Sequence, residues 1–255
     1  LEKVNFNNDV VFTWNGTTAG VKVPNGDWID ENRSGLTLCD ATSAVLAMDL
    51  PWSKLDVTTF SWQKVLGGEA QHGIIVLSPR AVERLESYKP SWPIPKLFRL
   101  TSKGKFQSKI FNGSTINTPS MLCIEDAIHS LKWVDSIGGA NTMIKRSLSN
   151  LQVIEKWESK TNWIEFLAKN KDTRSSTSIC LKIIDPWFLQ LSTDSKKEIL
   201  KSFFSLLEEK EAAYDINHYP SAPPGIRIWG GGTVETSNIE LLLPWLDWAW
   251  EYIEK

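Results

Sequence analysis

Four apolar runs of strand length follow one another within the first 77 residues, and they constrain the fold more than any other feature of this chain. Asp9–Trp14, Gly35–Cys39, Val57–Ser61 and Gly73–Leu77 are rich in β-branched and aromatic side chains and show little alternation of apolar with polar residues. Runs of that kind are expected in the strands of an α/β sheet covered on both faces. Pro79 to Tyr88 then reads as a helix with proline early in its first turn, a favoured position. Lys89 to Lys109, with three prolines among polar residues, reads as loop.

The second half is more helical. Pro119 to Ile137 carries apolar residues at helical spacing and stops at Gly138-Gly139; Asn141 to Trp157 is a second amphipathic helix. A strand (Thr177–Ile184), a helix (Ser195–Ala213), a strand (Gly225–Trp229) and a last helix (Val234–Ile253) follow. This order predicts a large domain over residues 1–149 and a small C-terminal α/β domain over 150–255. The 13 tryptophans are expected to serve core and subunit-interface packing.

Composition narrows the partners. With 28 Lys plus Arg against 30 Asp plus Glu, nothing favours nucleic acid or an anionic membrane. The apolar runs are too short to span a bilayer. Cys39, Cys123 and Cys180 are far apart and form no CxxC pair, and there are three histidines, so neither a metal site nor a disulfide framework is expected. Reduced cysteines fit the cytoplasm.

Candidate chemistry gathers at strand ends. Lys64 follows the third run and precedes Gly67-Gly68. An amine there, facing a site that excludes water, can condense with an aldehyde because desolvation favours its neutral form. It could equally be a solvated loop lysine. Asp40 ends the second run, and a carboxylate at the carboxyl edge of an α/β sheet points into the crevice where ligands bind. It could hold a protonated pyridine nitrogen, or cap the Ala41-Thr42-Ser43 segment. Asn15-Gly16-Thr17-Thr18-Ala19-Gly20 offers hydroxyls in a glycine-bearing turn, suited to a phenolic oxygen, a phosphate or a plain turn. Asn117 could cap the helix that Pro119 starts, and Arg227 could be a structural ion pair.

Asp56-Val-Thr-Thr-Phe-Ser-Trp-Gln-Lys64-Val-Leu-Gly-Gly-Glu69 and His72-Gly-Ile-Ile-Val-Leu-Ser-Pro-Arg-Ala-Val-Glu-Arg-Leu85 resemble the phosphoserine aminotransferases, class V fold-type I pyridoxal-phosphate enzymes. The resemblance extends along the chain through Asn117-Thr118-Pro119 and Pro223-Pro-Gly-Ile-Arg227-Ile-Trp229. It implies a mixed, mostly parallel sheet with helices on both faces and a small C-terminal domain. It further implies that Lys64 bears pyridoxal 5′-phosphate and moves the proton between the substrate α-carbon and the cofactor. Asp40 would meet the ring nitrogen, Thr17 the ring's 3′-oxygen and Gln63 the phosphate. Asn117 and Thr118 would reach the neighbouring subunit's cofactor phosphate, making the protein a homodimer with shared sites. Arg227 would clamp the substrate α-carboxylate. His218 would substitute for a cation that relatives aim at the substrate's phosphate, since Pro220 stands where a basic residue is expected. The implied reaction moves an amino group between glutamate and 3-phosphohydroxypyruvate, giving phosphoserine and 2-oxoglutarate in serine biosynthesis.

Two other readings stand beside this one. One is another class V aminotransferase of the alanine- or serine-glyoxylate type; the other is a catalytically silent α/β protein. The chain starts at Leu1, and nothing before Asp9 supplies the phosphate-binding helix N-terminus or the ring-stacking aromatic that the family carries upstream. The N-terminal part of the large domain is therefore expected to be missing, and this chain alone to bind the cofactor weakly or not at all.

Overall fold

The computed structural model describes residues 1–70 and 72–254. Strand β1 (Val10–Thr13) leads into a short hairpin of β2 (Asn15–Gly16) and β3 (Val21–Lys22), followed by β4 (Thr37–Asp40), β5 (Val57–Ser61) and β6 (Gly73–Leu77). The order β1-β4-β5-β6 makes a mixed sheet, with β1/β4 and β4/β5 parallel and β5/β6 antiparallel. Thr13, Asp40, Thr59 and Ile75 lie side by side across it. Phe12, Cys39 and Thr58 face a core built from Trp14, Ile29, Ala44, Met48, Val65, Leu66 and Met143. The opposite face departs from the expectation that both would be covered. Val11 is 78% exposed there, and Thr13, Asp40 and Thr59 are also open to solvent. Continuous apolar sequence could not show this, because it reports what a strand could bury and not what packs on it.

The amino ends of β4 and β5 and the carboxyl end of β6 are tied by one buried carboxylate. Asp56 accepts hydrogen bonds from the Thr37 N–H, the Ser78 hydroxyl, Arg33 and Arg80, at 2.9–3.2 Å. Burial alone would raise its pKa, but the Thr37 N–H, Ser78 and Arg33 more than offset this and hold the carboxyl below its ordinary value. Helix α1 (Pro79–Ser87) starts at the same place, capped by the Ser78 hydroxyl with Pro79 in its first turn.

The stretch expected to be loop up to Lys109 contains a hairpin of β7 (Thr101–Ser102) and β8 (Lys105–Phe106). Its two-residue turn, Lys103-Gly104, has φ of 50° and 75°, the left-handed pair that suits tight hairpins. Helix α2 (Met121–Ser136) is capped by the Ser120 hydroxyl, so Asn117 is not its cap. Gly138 and Gly139, with φ of 110° and 76°, separate it from α3 (Gly139–Glu158).

β9 (Ile164–Phe166), β10 (Ser178–Ile183), α4 (Pro186–Gln190), α5 (Thr193–Glu209), β11 (Gly225–Trp229) and α6 (Thr236–Glu254) complete the chain. The three strands form an antiparallel sheet in the order β11-β10-β9. It packs with α3, α5 and α6 around a second core centred on Ile154, Ile179, Leu181, Phe203, Leu246 and Trp250. Trp163 and Trp250 stack at 4.7 Å, and the Asp247 carboxylate accepts from the indoles of Trp157 and Trp163. Residue 150 falls inside α3, whose Met143 belongs to the first core and whose Leu151 and Ile154 belong to the second.

Candidate active site

Lys64 is presented by a tight turn after β5. The Gly68 N–H donates to the Trp62 carbonyl and the Gly67 N–H to the Lys64 carbonyl, while Val65 and Leu66 are buried. Anchoring the two apolar residues leaves the lysine to line a cavity of about 400 Å³. Gln63, Ser178, Asp215, Arg227, Trp229 and Thr233 also line it. The Lys64 amine lies 6.0 Å from the centre of the Trp229 ring, and among the described residues no carboxylate is within 4 Å of it.

Arg227 enters from β11, paired across the sheet with Cys180. Its guanidinium carbon lies 4.6 Å from the centre of the Tyr219 ring, and its Nη2 is 3.9 Å from Asp215, whose side chain is exposed. Such a distant, solvated pair contributes little, so the structural ion-pair reading of Arg227 has weak support. Among the described residues its buried Nε has no hydrogen-bond partner. The β2–β3 turn reaches the same region through its backbone. The Thr17 carbonyl accepts from the Ser178 hydroxyl at 2.9 Å and from the Cys180 thiol at 3.4 Å. Gly20, at φ 63°, approaches β10 so closely that a Cβ would lie 2.9 Å from Cys180 and Ser178 atoms.

The structure thus brings Lys64, Gln63 and Arg227 to one cavity. Thr17 is half-buried beside it, with its backbone, not its hydroxyl, recorded in contact. Asp40 stands at the carboxyl end of β4, alongside Thr59 of the strand that leads to Lys64, but does not line the cavity. Its Oδ1 accepts from the Thr42 N–H and hydroxyl at 2.9 and 2.7 Å, the local capping role, and its side chain is exposed. Asn117 and Thr118 are exposed in the segment before α2. His218 and Pro220 line a different cavity, against α5. Tyr214, Asp215, Tyr219 and Trp229 escaped the sequence reading as site residues; their proximity to the Gly225–Trp229 strand was the available signal.

Two further observations bear on a bound group. Gln63 Oε1 and Arg227 Nε, both of residues lining the cavity, are buried with no partner among the described residues, an arrangement that suits a polar ligand. Among the described residues no three of His, Cys, Asp and Glu gather in a way that could hold a metal, and no helix is long and apolar enough to cross a membrane.

No family profile matches the chain. It is 58% identical over 254 residues to a phosphoserine aminotransferase of Methanosarcina barkeri and 57% identical to that of Methanosarcina mazei. Each alignment takes in 100% of this chain and 66% of the relative, so the chain spans just under two thirds of their length. Its fold superimposes with a TM-score of 0.71 on a pyridoxal-phosphate-bound phosphoserine aminotransferase from Trichomonas vaginalis, at 16% identity, covering 93% of this chain and 59% of that one. With the α/β fold of the pyridoxal-phosphate aminotransferases and this degree of identity along its whole length, the chain belongs to the phosphoserine aminotransferase family.

Proposed function

We propose that this chain carries the amine and the carboxylate clamp of a pyridoxal-phosphate-dependent transaminase that moves an amino group between glutamate and 3-phosphohydroxypyruvate in serine biosynthesis. The observation that carries the reading is that Lys64 and Arg227, from opposite halves of the chain, line one cavity with buried polar atoms left unpaired at its edge. When bound, the cofactor supplies an electron sink for charge developing at the substrate α-carbon. Lys64 would hold it through the ε-amine, free of any carboxylate, and afterwards take and return a proton at that carbon. Gln63 would turn its amide so that Nε2 donates to the phosphate. Asp40, whose Oδ2 is not engaged by Thr42, would meet the ring nitrogen, and Thr17 the ring's 3′-oxygen. Arg227, already oriented by Tyr219, would grip the substrate α-carboxylate with two parallel N–H donors.

The two-domain division at residues 149 and 150, the homodimer and a cytoplasmic location belong to the same proposal. The dimer is supported by α2, which leaves Met121, Leu122, Ile128 and Leu131 exposed just beyond Asn117 and Thr118. Those two residues would reach the partner's cofactor phosphate across that face. The three free cysteines support a reducing compartment.

A second reading has one observation in its favour. The only cations lining the cavity, among the described residues, are Lys64 and Arg227, and His218 lies elsewhere. A serine- or alanine-glyoxylate transaminase needs no third cation for a substrate phosphate. Half-reaction rates of the complete protein decide between them: faster turnover of phosphoserine than serine is expected, and serine at least as fast would sink the phosphate-specific reading. In either case Lys64→Ala should abolish cofactor absorption above 400 nm as well as turnover. The 255-residue chain alone is expected to give little borohydride-trapped cofactor at Lys64; a tight stoichiometric adduct would refute that.

A further inference from the structure

The segment that walls the Lys64 cavity has a second cavity behind it. Tyr214, Asp215 and Ile216 face Lys64 and Arg227, whereas Asn217, His218 and Pro220 line a space of about 790 Å³ against α5. This segment is fastened to β11. The Ile216 carbonyl accepts from the Arg227 N–H at 2.8 Å, and Asn217 bridges to Ile226.

The walls of the second cavity are chemically divided. Leu200, Phe204, Ala222 and Pro224 make it apolar. Lys197 and Lys201, one helical turn apart on α5, bring two amines to the same side. Among the described residues Lys201 has no carboxylate within 4 Å, and Lys197 has one exposed partner, Asp194, at 3.3 Å. Exposed pairs of that kind are weak, so both charges remain available to a ligand. Lys196 is already committed to the Leu189 carbonyl at 2.8 Å, and Glu208 is the one acidic residue among the described residues that line the cavity. His218 Nδ1 is buried with no hydrogen-bond partner among the described residues. Burial holds this imidazole below its ordinary pKa, with the Gly225 backbone opposing, which favours its uncharged form.

We propose that the α5 cavity binds an organic anion with an apolar body. Its carboxylate, sulfonate or phosphate end would lie at Lys197, Lys201 and His218, and its body on Phe204, Leu200 and Pro224. A bare inorganic anion would leave the apolar wall wet, and a neutral apolar molecule would leave two ammonium groups unmatched. Occupancy presses on residues 217–220, where the Tyr219 ring backs the Arg227 guanidinium, and so biases the clamp of the neighbouring cavity. The binding site stands without the transaminase reading; its coupling to substrate rests on that reading.

The test uses 8-anilinonaphthalene-1-sulfonate as the aromatic anion and N-phenyl-1-naphthylamine as the same body without charge, followed by hydrogen-exchange mass spectrometry. The anion is expected to protect peptides spanning 196–205 and 216–224 saturably, and the neutral analogue is not. A Lys197→Glu/Lys201→Glu variant, altered only at exposed positions, should weaken that protection by roughly tenfold or more, the effect of about 1.4 kcal/mol. Dye bound to apolar surface elsewhere would fluoresce without protecting these peptides, and that result overturns the site. So does protection unchanged in the variant, or equal protection by the neutral analogue. Protection extending to residues 225–229 supports the coupling, and its absence removes the coupling while leaving the site.

Discussion

The Arg227 guanidinium rests on the Tyr219 ring at 4.6 Å, while the Asp215 carboxylate is 3.9 Å away and solvated. An aromatic shelf fixes the plane of the fork without using its donors, which leaves them for a carboxylate. Tyr219→Ala is expected to raise KM for glutamate several-fold in the complete protein with kcat changed less, and Tyr219→Phe to restore it. Arg227→Lys loses the two-pronged geometry and should raise KM by about 10–100-fold, as expected for a charged hydrogen bond of roughly 1.5–3 kcal/mol. Steady-state kinetics check both; an unchanged KM in Tyr219→Ala would remove Tyr219 from this role.

Asp56 neutralises the buried Arg33 and receives Arg80, Ser78 and Thr37. Replacing it with alanine strands a buried guanidinium and should cost about 3–5 kcal/mol in urea unfolding. Because the folded-state pKa is depressed, the carboxylate's contribution is complete above its unfolded value of about 3.9 and is lost as pH falls through the lower folded value. Stability curves from pH 6 to 2 should therefore lose, in Asp56→Ala, part of the acid-side decline.

Gly20 sets the β2–β3 turn on β10. Gly20→Ala adds a Cβ where only 2.9 Å is available, in a backbone conformation unfavourable to alanine. A loss of about 1–3 kcal/mol is expected, read by chemical denaturation. Wild-type stability would mean that the turn shifts away from Ser178 without cost.

Cys39, adjacent to Asp40, is buried, and burial, assisted by the Asp40 charge and opposed by the Trp14 backbone, pushes its thiol up to about 12. At pH 8 the thiolate fraction is then on the order of 10⁻⁴. Ellman's reagent should leave Cys39 unmodified in the native protein and react after unfolding, with mass spectrometry assigning the site. Rapid native labelling at Cys39 would contradict the burial.

The longer strands, the longer helices and the position of Lys64 were legible in the chain because each is a local matter, whereas β9 and α4 were not read. Apolar runs of four to six residues form strands, serines before helical periods cap them, and two glycines after Lys64 permit a turn. The β7–β8 hairpin was equally local, yet the neighbouring prolines masked its Lys103-Gly104 turn. The capping alternative for Asp40 could likewise be read from Thr42, two residues away, and it is present in the fold.

What the sequence could not decide is which groups from distant segments share a space. Strand periodicity is silent on whether another layer covers Val11 and Thr59, and tertiary packing leaves them open. The spacing of His218 from Arg227 does not say that one faces α5 and the other faces Lys64; the bridge of Asn217 to Ile226 decides that. Side-chain chemistry is written residue by residue, but the company each residue keeps depends on loop closure across the whole chain, and only the folded backbone fixes it.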